Sequence, residues 1–89
     1  MIKIISARAL HDYVIAIQFS DGACGDYDAA PLIAKKTALT QQLANRTYFN
    51  DFFVDLGALC WRNGFELSPG SIYRELEAQN KLAKHSQAA

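Results

Sequence analysis

The chain has few of the residues that announce chemistry on their own. Of its 89 residues only two are cysteine, Cys24 and Cys60, and they are far apart. That excludes a disulfide framework, and neither has a nearby Cys or His with which to build a zinc site. Charge of one sign is missing as well. Nine Lys and Arg balance nine Asp and Glu, with a pI near 6.7, so the basic footprint of a dedicated nucleic-acid binder is absent. No run approaches the roughly 18 apolar residues of a membrane span. The start, Met1-Ile2-Lys3-Ile4-Ile5, lacks the apolar core and cleavage site of a signal peptide, so a cytoplasmic location is expected. With two prolines and five glycines there is no low-complexity tract, linker or Gly-rich phosphate loop.

What is present is globular: 51% hydrophobic, 20% charged and 11% aromatic residues. A chain this short forms one domain and buries only about 60–65% of its unfolded surface. Zero net charge gives little repulsion against association, which favours self-association or a protein partner.

Periodicity places the elements. Ile2 to Leu10 is apolar and β-branched at its start and reads as a strand, with a turn at His11-Asp12. Tyr13, Ile15, Ile17 and Phe19 alternate with Val14, Ala16 and Gln18, the pattern of a strand with one apolar face. Asp21-Gly22 is a hairpin turn, and Ala23 to Tyr27 is a weaker returning strand containing Gly25. Asp28 caps a helical turn through Pro31. Leu39 and Leu43 line a short helix ending near Asn45, and Tyr48-Phe49 fall in another short turn of helix or in a loop. Phe52 to Leu56 is a fourth strand, Gly57 a bend, and Ala58 to Trp61 a fifth strand.

The stretch Leu59 to Pro69 organises the rest. It holds the single Trp, the turn dipeptide Asn63-Gly64, the alternation Phe65-Glu66-Leu67, and Ser68 as cap of a helix with Pro69 at its first position. That helix is expected to run to about Lys84, with Ile72, Tyr73 and Leu76 facing the sheet and His85 to Ala89 frayed.

Reactive groups do not assemble. Asp21, Asp26 and Asp28 suggest a cation site, but the oxygen-ligand pattern of a calcium loop breaks at Ala29-Ala30-Pro31. A turn residue and a helix cap account for Asp21 and Asp28. Cys60, in an apolar strand, reads as an inert thiol, and His11 and His85 have no partner at ligand spacing. Arg74, Lys81 and Lys84 could form a basic helix face, yet Glu75 and Glu77 share it and no helix-turn-helix is apparent. A site near Trp61 and Glu66, with Asp21, Asp26 and Asp28, is the remaining enzyme or ligand-binder alternative. No catalytic, metal or cofactor residues are assigned. Sheet edges, the Gly25 strand above all, together with exposed aromatics fit an interaction surface; its candidate residues are Tyr27, Tyr48, Tyr73 and Arg74.

Phe19-Ser20-Asp21-Gly22, Asp28, Leu43, Phe49, Val54-Asp55 and Trp61-Arg62-Asn63-Gly64-Phe65-Glu66-Leu67-Ser68-Pro69 occur in this order. In that order and spacing, over Ile4 to Tyr73, the chain resembles the domain-of-unknown-function 2442 family. Arg62, Glu66 and Gly70 depart from that family's Pro, Asp and acidic residue, and Gly70 removes a carboxylate that would favour the helix start. The resemblance implies a small bacterial α+β protein, often encoded beside another small protein in toxin–antitoxin-like pairs, and carries over no catalytic residue.

The expected fold is α+β: an antiparallel three-stranded meander, short central helices, two further strands and a C-terminal helix on the sheet. Residues 1–78 form the domain, and 79–89 the helix end and tail. Leu10, Tyr13, Ile15, Ile17, Phe19, Leu39, Leu43, Phe53, Trp61, Leu67, Ile72 and Leu76 are the expected core. The expected function is a non-enzymatic interaction module, the antitoxin-like half of a two-protein system. A DNA-binding regulator acting as an oligomer, and a ligand binder or enzyme, are the alternatives.

Overall fold

The computed structural model describes residues 1–84. The first three strands, β1 (Ile4–His11), β2 (Val14–Phe19) and β3 (Ala23–Asp28), form the expected antiparallel meander. Alternation along β2 turns Ile15, Ile17 and Phe19 into the core and leaves Val14, Ala16 and Gln18 on the opposite face. Three short helices follow: α1 (Ala30–Ile33), α2 (Ala38–Gln42) and α3 (Arg46–Phe49). Asp28 accepts the Ala30 amide at 2.9 Å, Thr37 and Thr40 form a reciprocal capping box on α2, and the Asn45 side chain caps α3.

A second sheet holds β4 (Phe53–Asp55), β5 (Ala58–Cys60) and β6 (Glu66–Leu67) in that order. Leu56 and Gly57, both at positive φ, form the two-residue turn between β4 and β5. Ser68 then caps α4 (Pro69–Ala78) by accepting the Ser71 amide, with Pro69 in the first turn as expected. The structure is α+β, with two antiparallel sheets and four short helices.

The end of the last helix departs from the sequence reading. The helix stops at Ala78 instead of continuing to Lys84, and Ala83–Lys84 form β7, which pairs with Ala23 and Cys24 of β3. Asn80 sits in the left-handed region at φ 57°, with its amide on the Glu77 carbonyl and the Lys81 amide on the Leu76 carbonyl. This is a Schellman ending, which an Asn after a fading apolar stripe can supply. Leu82 then turns back against the core. Gly25 admits the returning chain, because a Cβ there would lie 2.8 Å from the Lys81 carbonyl oxygen. The Gly25 strand, expected to be an open edge, is therefore paired at Ala23 and Cys24 by the returning chain. The expected tail, His85 onward, falls outside the described residues.

The core also needs correction. Leu10, Leu39 and Phe53 are 37%, 41% and 45% exposed. Leu10 lies at a register shift in β1, where an extra residue re-aims its neighbours. On α2, Thr40 turns inward in place of Leu39. On β4, Phe53 faces out while Phe52 packs against the core. Ile4, Ala23, Tyr27, Ala29, Phe49 and Leu59 are buried in addition to the expected set, and Tyr13 and Leu67 pack against its rim.

Candidate interaction surface

Trp61 is the junction of the helices and the second sheet. Its indole N–H donates to the Phe49 carbonyl at 2.8 Å, and Phe49, Phe52 and Phe65 surround its ring at centroid distances of 5.7, 6.2 and 5.7 Å. Beside it, Asn63 donates its amide to the Leu39 carbonyl and the Gln42 side chain and accepts the Phe65 amide at 3.0 Å. The two segments Phe19-Ser20-Asp21-Gly22-Ala23 and Trp61-Arg62-Asn63-Gly64-Phe65 fold alike. In each, the glycine amide returns to the aromatic residue's carbonyl at 3.1 Å, the glycine φ is near 90°, and the Asp or Asn oxygen accepts the amide two residues on. Only the glycine, not the preceding Asp or Asn, takes positive φ.

Of the candidate aromatics, Tyr27 is buried at 5% exposure rather than displayed. Burial, and then the charges of Glu75 and Asp28, push its hydroxyl up to about 12. Tyr48 is half-buried beside Gln42, Asn45 and Thr47. Tyr73 is half-buried, packs edge-on against Phe19 and donates to Asp21 at 2.6 Å. That bond, the Ala23 amide and Lys84 hold the Asp21 carboxyl below its ordinary value. Arg74 is exposed and shares a shallow groove with Tyr73, Met1, Ile2, Ser68, Pro69 and Gly70. The structure thus brings Tyr73 and Arg74 together and places Tyr27 and Tyr48 elsewhere.

The other candidate groups are dispersed. Asp21 is engaged by Tyr73 and Lys84, Asp28 by the Ala30 amide, and Asp26 lies on the outer sheet face. Among the described residues no three His, Cys, Asp or Glu side chains cluster as metal ligands. Cys60, Asp55, Glu66, Phe53 and Phe65 line an open depression over the second sheet. There burial, then the Glu66 and Asp55 charges, push the Cys60 thiol up. His11 contacts Asp12, and His85 lies outside the described residues. Lys81 and Lys84 fall beyond the end of α4, so Arg74, Lys81 and Lys84 do not share a helix face. No helix among the described residues is long and apolar enough to cross a membrane.

Further exposed apolar side chains lie on residues read as core or left unassigned. Ile5 on β1, Phe53 and Val54 on β4 and Leu56 in the following turn are exposed, Leu56 at 90%. Both strands are edges of their sheets. They lie against each other, the Ile4 amide bonding the Gly57 carbonyl at 2.9 Å. A signal for this was available: successive strand residues face opposite ways, so Ile4-Ile5 and Phe52-Phe53-Val54 cannot all point inward.

Comparison with curated proteins and with solved structures finds no match. The model of the family described as protein of unknown function, DUF2442, matches residues 4–78, and the chain belongs to that family.

Proposed function

We propose that this chain is a non-enzymatic protein-interaction module, the antitoxin-like half of a bacterial two-protein system, acting in the cytoplasm. The observation that carries the reading is the exposure of Ile5 on β1 and of Phe53, Val54 and Leu56 on β4 and in its turn, close together where β1 lies against β4. Apolar side chains left exposed supply area that gains from burial against a partner.

The test is capture of partners by the tagged full chain from its native cell, beside an Ile5→Lys, Leu56→Asp variant. Both positions are exposed, so the variant keeps its fold. A single stoichiometric protein held by the natural chain and lost by the variant supports the reading. Retention by the variant, or recovery of DNA in place of protein, contradicts it.

A further inference from the structure

The face of the four-stranded sheet that points away from the core carries its charges in columns. Arg8 of β1 pairs across to Ala16 of β2, which pairs to Asp26 of β3. One row on, His11, Val14 and Asp28 are cross-strand partners; the other way lie Ser6, Gln18, Cys24 and Ala83. The outer face therefore has Arg8 on β1, uncharged groups on β2 and carboxylates on β3, with Lys81 in the depression that Arg8, Ala16 and Asp26 line. Arg8, Asp26 and Asp28 take part in none of the ion pairs among the described residues. Lys81 lies beside Asp26 and Asp28 and offsets part of their charge, and His11 already contacts Asp12.

We propose that this face is a self-association surface, on which two copies stack about a twofold axis parallel to β2 so that Arg8 of each lies over Asp26 of the other. Two sheets that stack aligned can do so with the in-plane twofold axis along the strands or across them. An axis across the strands lays β1 on β1 and β3 on β3, opposing like charges. An axis along them lays β1 on β3, so Arg8 meets Asp26 and His11 meets Asp28, with Val14 and Ala16 meeting their own counterparts at the centre. Charge complementarity selects the second arrangement and a second copy as occupant. Ser6, Ala16, Cys24 and Ala83 are small enough for the approach of roughly 10 Å at which sheets pack. The elements that form the core lie on the opposite side of this sheet.

This is independent of the partner reading above, because it uses purified chain alone and a face rather than those exposed apolar side chains. Sedimentation equilibrium at millimolar chain and low salt is run on the natural protein, Arg8→Glu, Asp26→Arg and an equal mixture of the two variants. The natural chain is expected at twice its 9.9 kDa mass, dissociating as salt rises. Each variant alone opposes like charges at both symmetric contacts and weakens association by about tenfold or more. The mixture restores both contacts, one inverted and one native, and recovers the dimer. Circular dichroism checks that the exposed substitutions leave the fold intact. A natural chain that stays monomeric overturns the proposal, as does a mixture that associates no better than its components. Loss of a captured heterologous protein in Arg8→Glu, with the purified chain monomeric, assigns the face to that protein instead.

Discussion

Tyr73 on the last helix donates its phenolic hydrogen to Asp21 in the turn between β2 and β3, at 2.6 Å and across 52 positions of sequence. Asp21 simultaneously shapes its own turn through the Ala23 amide and pairs with Lys84 of β7 at 3.5 Å. One carboxylate thus ties turn, helix and final strand together. Turn, helix start and chain return belong to one constellation rather than to three separate local signals.

Replacing Tyr73 by Phe should raise the Asp21 pKa toward its ordinary 3.8, since the Tyr73 hydrogen bond is the largest cause of its depression. A carboxylate with a lowered folded-state pKa contributes stability above 3.8, and loses it as pH falls through the folded value. Natural and variant stabilities should therefore differ at neutral pH and converge in acid. Carboxyl carbon chemical shifts and denaturant melts against pH measure both effects.

Trp61→Phe should cost about 2–4 kcal/mol, from the smaller ring in a packed site and a carbonyl left without its donor. The indole is 2% exposed and Phe49 is fully buried, so water cannot easily replace the lost bond. Urea melts give the number.

Two glycines separate backbone strain from collision. At Gly64, φ is +92° and nothing lies within 4 Å of an added Cβ, so Gly64→Ala should cost about 1–2 kcal/mol from backbone conformation alone. Gly25→Ala meets the Lys81 carbonyl and Leu76. It should cost about 1–3 kcal/mol and loosen β7, seen as faster amide exchange at Ala83 and Cys24. Equal exchange in both variants would refute the seating of the chain end on Gly25.

At high pH, Tyr27 governs. Its hydroxyl keeps its proton to about 12 when folded against 10.0 unfolded. Stability is therefore full below pH 10 and falls as pH rises toward 12, by about 1–2 kcal/mol after allowance for partial solvent screening. Tyr27→Phe should leave neutral-pH stability within about 1 kcal/mol and flatten the alkaline limb of the stability curve.

Much of this fold was legible because its signals are local. The alternation of Ile15, Ile17 and Phe19, the turns at Asp21-Gly22 and Asn63-Gly64, and the Ser68-Pro69 helix start each act over a few residues. The misreadings concern long-range geometry. Ordinary helix formers run on past Leu76, but Asn80 ends the helix and Gly25 gives the chain a place to return. Leu39 and Phe53 looked like core because apolar residues usually are, whereas Thr40 and Phe52 took the inward positions. The candidate surface was missed because Phe53 was credited to the interior and Ile5, Val54 and Leu56 were given no place. Tyr27 erred the other way, a polar-tipped ring with its body buried.

The most direct test of the interaction reading is backbone amide exchange of the chain alone and in complex with the captured partner. Docking over these exposed side chains predicts new protection concentrated in residues 4–11 and 53–55, with that in α4 unchanged. New protection confined to α4, with both strands exchanging as before, would contradict it.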